Sequence, residues 1–369
     1  MIESIGTDLH WLQALRDPEI VTGWSLPDWQ DRIRLARRLR LLGRLAERVH
    51  SAELQGRLPE PVQRHLLAER RQSQARGRAM WWTLAHVGQA LADTEYPKVL
   101  LKGAAYMAQR LPNSQGRLPS DLDILVPRAM LADAQQRLGE HEWKTVELDA
   151  HDQRYYNEWS HEIPPMRHAL FSLELDVHHG ILPPVASTTV DADLLLARII
   201  PSGQPGWSVF APVDQWIHCA VHLMLDSELR DRIRDLVDLD ELGRHFGRSP
   251  SFWTELVDRS NALGLLEPVA LAVHYTTKWL QTPIPADVHR EFRRQGPGPI
   301  RRRWLLPLLD AVLTPTLPDA RDSWQQGLAA TALLTRYHWG RMPIHLLLPH
   351  LWHKARARRK RGSESDERV

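Results

Sequence analysis

Asp121 and Asp123, in the run SDLDILV, are the residues of this chain best suited to chemistry. Successive side chains of a strand alternate faces, so these two carboxylates share one face, and Leu122, Ile124 and Val126 are left to bury. Carboxylates held side by side repel unless a cation lies between them. Mg²⁺ takes such oxygen ligands and keeps room for substrate phosphates. A second run, SLELDVH at 172–178, alternates in the same way. Leu173, Leu175 and Val177 take one face, and Glu174, Asp176 and His178 take the other. If the two strands are neighbours, Asp176 joins the cluster, with Glu174 as its rival for the third ligand. Three carboxylates can hold two Mg²⁺ ions, one orienting nucleotide phosphates and one helping to deprotonate an attacking hydroxyl.

The elements around these residues are suited to holding phosphate. From Val99 the pattern reads as a strand, a glycine turn at Gly103, and a short helix opening at Ala104. A helix start beside glycine offers bare N–H groups and a favourable field to an anion. Lys102 can reach a phosphate, or stand exposed at the strand end. Arg117 lies in a loop rich in Pro, Asn, Ser and Gly, four residues before Asp121. Its planar fork suits a triphosphate, the alternative being a solvated loop arginine. Ser120 completes this nucleotide-binding set, with a local turn or strand cap as its other reading.

The succession LKG, Arg117 with SDLDILV, His161 near Pro164, and LDVHHGI resembles the nucleotidyltransferase superfamily of DNA polymerase β type. More narrowly, it resembles the branch known as an uncharacterised nucleotidyltransferase family. The resemblance is close over 99–181 and looser in the helices that follow, and the first ninety or so residues carry no motif that can be placed. It implies an α+β fold: a nucleotidyltransferase-type mixed β-sheet core with flanking helices, between helical N- and C-terminal regions. It also implies Mg²⁺-dependent transfer of a nucleoside monophosphate from an NTP, such as ATP, to an unidentified acceptor hydroxyl. That acceptor can be a small molecule, a sugar, or a peptide or protein. Asp121, Asp123 and Asp176 become the catalytic metal ligands, because the match aligns the Asp-x-His step rather than Glu174. His161, His178 and Asp238 become contacts to substrate or supports, with Asp238 binding acceptor or bracing a strand. Where the superfamily has Gly-Ser, this chain has Lys102-Gly103, so the serine's role has no obvious holder. The alternative is a catalytically inactive fold serving as a binding or regulatory module. The three carboxylates argue against it, and the missing serine argues weakly for it.

Bulk properties set outer limits. The 369 residues allow two or three domains, or one core with helical extensions. The division expected here is 1–95 helical, 96–185 nucleotidyltransferase core, 186–353 helical, and 354–369 a charged tail expected to be disordered. A formal net charge of +2 gives no reason to expect nucleic acid and leaves that partner open. The single cysteine, Cys219, rules out an intrachain disulfide and a thiolate metal cluster, and fits a reducing cytoplasm. No run approaches ~20 apolar residues, so no membrane span is expected, nor is a signal peptide.

Along the chain, the patterns predict a helix at 29–49 and a long arginine-rich helix from Pro61 to Leu91. A helix at 128–138 and strands at 143–148 and 155–159 follow. Helices are then expected at 192–199, two within 213–246, and at 252–263, 268–280, 304–313 and 320–337, before a basic C-terminal helix. His218 and His222 share a helix face, which suits a buried hydrogen-bonding role better than a metal pair lacking further ligands. Arg234 and Asp238 stand at i, i+4, a spacing that allows them to pair. Zinc at His178 and His179 is disfavoured beside so many aspartates.

Overall fold

The computed structural model describes residues 9–341, apart from 147–153, 155, 157–158, 227–228 and 321–322. For 339–341 only the backbone is described. Its centre is a seven-stranded mixed sheet of order β3-β4-β5-β2-β1-β7-β6. The strands are β1 Val99–Leu100, β2 Asp121–Leu125, β3 Lys144–Thr145, β4 Met166–Arg167, β5 Glu174–His178, β6 Ile200–Pro201 and β7 Ser208–Val209. Strand β2 runs antiparallel to β1 and parallel to β5. Leu122, Ile124, Leu175 and Val177 are fully buried. Their burial fixes the register, because a slip of one residue would turn the aspartates inward.

The helices are α1 Leu26–Arg38, α2 Leu42–Ser51, α3 Glu60–Ala90, α4 Lys102–Ala108, α5 Leu131–Glu140, α6 Ala192–Leu196, α7 Pro212–Met224, α8 Ile233–Phe246, α9 Phe252–Ala262, α10 Leu266–Leu280, α11 Ala286–Gln295, α12 Pro299–Leu313 and α13 Trp324–Arg341. Helix α7 is buried nearly all round, as expected of a helix surrounded by other elements. It packs on α8, α9 and α10. One hydrophobic cluster runs from Trp11 to Leu333.

The expected helix at 29–49 is two helices. The chain turns at Leu39–Leu41, and Arg40 takes a left-handed φ of 56°. The strand expected at 155–159 is not seen: Tyr156 and Trp159 are helical. Of the strand at 143–148, Lys144–Thr145 is seen, and 147–148 lie outside the described residues. Helix α11 and the strands β6 and β7 were not anticipated. Two-residue strands are too short to show a period. The basic C-terminal helix and tail also lie outside the described residues.

The N-terminal helices brace the loop that carries Arg117. A Cβ on Gly43, in α2, would collide with the Gly116 carbonyl oxygen, and Gly116 has a φ of 65°. Gly43→Ala is therefore expected to cost about 1–3 kcal/mol by overpacking, read as a lower urea midpoint with an unchanged slope.

Candidate active site

Strand pairing brings the three aspartates together. Asp123 lies directly opposite Asp176, and Asp121 opposite Glu174. Ligand oxygens of Asp121, Asp123 and Asp176 all lie within 4.8 Å of one another. Glu174 turns away to Arg167, whose Nε donates to it at 2.6 Å, and the glutamate side chain is 39% exposed. It is not part of the cluster.

The three carboxylates are electrostatically unequal. Burial opposes ionisation of Asp123, but Lys102 Nζ at 2.7 Å and His178 Nε2 at 3.0 Å outweigh it. They hold its carboxyl well below the usual range. Asp121 is raised by burial and by the neighbouring charge of Asp123, and it accepts a hydrogen bond from Ser120 Oγ at 2.9 Å. Asp176 is pushed up to about 7, by burial first and by Asp123 next. Its Oδ1 is buried without a hydrogen-bond partner.

Lys102 therefore sits on Asp123, from a left-handed backbone at φ 42°. His178 lies between two carboxylates, with Nδ1 3.3 Å from Glu162 Oε2. Burial favours its neutral form, but Asp123 and Glu162 outweigh burial and raise its pKa. Glu162 was missed in the sequence. Its signal was the residue next to His161, and an isolated bridge to His178 places it. His161, Glu162 and His178 form a second close group, and the His161 ring centroid is 5.5 Å from that of His178.

Two sequence expectations are corrected by burial. Arg117 is neither solvated nor open to a triphosphate. Its Nη1 donates to both oxygens of Asp238, at 2.7 and 2.6 Å, and its side chain lies across Gly103. Asp238 is 1% exposed, so it braces Arg117 and the buried Arg44 and is out of an acceptor's reach. The Arg234–Asp238 pair that their spacing allows is absent among the described residues for the same reason: Asp238 is already engaged. The helix after Gly103 begins at Lys102 and has only seven residues. His222 Nδ1 meets Arg232 Nη2 at 2.7 Å, and burial lowers His218 to about 3. Both keep structural roles.

A cavity of about 460 Å³ opens beside the cluster. Lys102, His161, Glu162 and His178 line it, and Glu267 and Arg301 are among its other lining residues. Its size is that of a small-molecule site. No helix among the described residues is long and apolar enough to cross a membrane.

A mixed sheet carrying three carboxylates on two adjacent parallel strands, enclosed by helices, is consistent with a nucleotidyltransferase-type fold. The family model described as an uncharacterised nucleotidyltransferase matches residues 25–281, well over half of the chain. The chain belongs to that family. It has no match among curated proteins or among solved structures.

Proposed function

We propose that this protein transfers a nucleoside monophosphate from an NTP to a hydroxyl of a small-molecule acceptor, with Mg²⁺ held by Asp121, Asp123 and Asp176. The observation that carries this reading is the placement of Asp176: a half-buried carboxylate whose Oδ1 is buried and unpartnered, with ligand oxygens of two more carboxylates within 4.8 Å and its pKa raised to about 7. Two cations, Lys102 and His178, face four carboxylates once Glu162 is counted. A divalent ion fits that imbalance and that all-oxygen donor set. Bound there, it would supply Lewis-acid charge to phosphoryl oxygens and acidify the attacking hydroxyl.

The chain's own residues have separable tasks. Lys102 and His178 keep Asp123 ionised and fixed. Asp176, with its raised affinity for protons, accepts the proton of the acceptor hydroxyl. The acceptor oxygen bonds to the α-phosphorus, the bond from that phosphorus to its bridging oxygen breaks, and pyrophosphate leaves with the electron pair. The cavity at the His178 end admits the acceptor. Such transfers depend mainly on positioning and on charge placed around the phosphoryl group.

The test is calorimetric titration of each NTP with Mg²⁺, on wild type and on Asp121→Asn, followed by a search for acceptors with labelled NTP. Metal-dependent binding lost in the variant supports the reading. No nucleotide binding to folded wild type would favour a catalytically inactive module instead.

The acidity of Asp176 gives a pH signature. Its pKa rises from an ordinary 3.8 to about 7 on folding. Between those values the folded state holds the extra proton, so stability contributed by this group is present at low pH and is lost as pH rises towards 7. The shift caps the effect at about 4 kcal/mol. In chelator, Asp176→Asn is expected to unfold at a higher temperature than wild type at pH 8, with the gap closing towards pH 4. Mg²⁺ is expected to narrow the gap at pH 8. Equal unfolding temperatures at pH 8 would contradict the assignment.

A further inference from the structure

Two arginines of the C-terminal helices line the same cavity as Lys102 and His178. They are Arg301 in α12 and Arg336 in α13, and Glu267, in the first turn of α10, lines it with them. The two guanidinium groups share one carboxylate oxygen. Arg301 Nη2 donates to Glu267 Oε1 at 2.9 Å, and Arg336 Nη2 donates to the same atom at 3.1 Å. Among the described residues neither arginine side chain has a second partner. The cavity's other carboxylates are engaged elsewhere, Glu162 with His178 at 3.3 Å and Asp226 with Arg232 at 3.2 Å. Two positive charges on this wall therefore meet one negative charge. Most of the N–H groups of the two forks stay open to a ligand.

Between the polar groups the wall is apolar. Ile181, Leu182, Val221, Met224 and Leu225 line it, and Ile181, Val221 and Met224 are buried. Lys102 and His178, on the same wall, each touch Asp123, at 2.7 and 3.0 Å. The cavity thus reaches the carboxylate cluster, and it also holds an apolar surface and a pair of guanidinium forks. A small ligand is held by such an apolar surface and oriented by a few polar groups. A guanidinium fork matches a carboxylate or a phosphate. One more carboxylate would balance the arginines, two charges against two, whereas a phosphate monoester would leave an excess of negative charge.

We infer that the acceptor is a small amphipathic hydroxy acid, its carboxylate held by Arg301 and Arg336 and its hydroxyl turned to the carboxylate cluster. Its apolar body lies on Val221, Met224 and Leu225. This rests on the nucleotidyl-transfer reading above and adds the acceptor's class. The hydroxyl oxygen of the acid is the atom that bonds to the α-phosphorus as pyrophosphate leaves. Its proton is accepted as described above, and the carboxylate is unchanged in the product. Both arginines lie beyond residue 281, where the match to the family model ends. The anion seat is thus supplied by helices that follow the matched part of the chain.

The probes are ω-hydroxy acids of graded chain length, each set against the diol of the same length, which lacks only the carboxylate. Calorimetry follows their binding to wild type, to Arg301→Gln/Arg336→Gln and to Glu267→Gln, and Mg²⁺-dependent NTP binding is measured on the same samples. Wild type is expected to bind the best acid about tenfold or more tightly than its diol, the worth of a charge-assisted hydrogen bond. The double variant is expected to lose that preference and to keep its NTP binding. Thermal unfolding should show it folded, since ion pairs this exposed contribute little to stability. Glu267→Gln breaks the same ion pairs but leaves both guanidinium groups, so it is expected to keep the preference, which a purely structural clasp would not. Equal binding of acid and diol by wild type, binding of neither, or a preference that survives in the double variant overturns the inference. Loss of NTP binding in the folded double variant would seat the nucleotide there and overturn it too. NTP binding without any preference for the acid removes this inference alone. Arginine-dependent binding of the acid, in a wild type that binds no NTP, keeps the anion seat and removes the transfer reading.

Discussion

Asp121→Asn is expected to reduce nucleotidyl transfer by about 10³-fold or more while leaving the fold intact. Removing one metal-binding carboxylate forfeits several kcal/mol of charge stabilisation, and each 1.36 kcal/mol is worth about tenfold in rate. The fold survives because the only hydrogen bond seen to the Asp121 side chain among the described residues comes from its neighbour Ser120, and the strand's backbone bonds stay intact. Asp121 is also repelled by Asp123, so asparagine removes a like-charge contact. Asp123→Asn makes the informative contrast. It strips the full negative charge from between Lys102 and the buried His178. That substitution should lose activity and also roughly 2 kcal/mol of stability. Single-turnover assays with labelled NTP, paired with urea titrations, separate the two. Turnover retained by Asp121→Asn would remove Asp121 from the catalytic machinery.

Asp238→Ala is expected to have the largest effect on stability, about 3–5 kcal/mol, because it leaves two buried guanidinium groups without their carboxylate. Arg117 and Arg44 both reach Asp238, and Arg44 is 2% exposed. Arg44 would keep the Asn113 carbonyl at 3.0 Å from Nη2 and the longer ion pair of Nη1 with Glu241 Oε2 at 3.8 Å, which together replace Asp238 only in part. The urea midpoint should fall accordingly. Adding Arg117→Met should recover part of the loss, since an apolar side chain of similar length removes one stranded charge. A small effect of Asp238→Ala would mean that water reaches this cluster. The cluster ties α2 in the N-terminal helices to α8 in the C-terminal helices, through the loop that leads into Asp121.

What the sequence alone determined about this protein is what depends on near neighbours along the chain. The two-residue period of LDIL and LELDV placed Asp121, Asp123 and Asp176 on polar faces, and their burial partners on the other. Apolar patterning bounded by prolines marked α3, α7, α9 and α10 to within a few residues. The succession of motifs was enough to indicate the family. What tertiary structure decided was which charge meets which. Arg117 and Asp238 are 121 residues apart in sequence, and Arg44 and Asp238 are 194 apart. Local spacing allowed Arg234 to pair with Asp238 at one helical turn, yet Asp238 faces Arg117 and Arg44 instead. Coulomb energy depends on separation in space and on local burial, and neither is encoded by neighbours in the chain. For the same reason Glu162 stayed hidden until its bridge to His178 placed it beside the cluster.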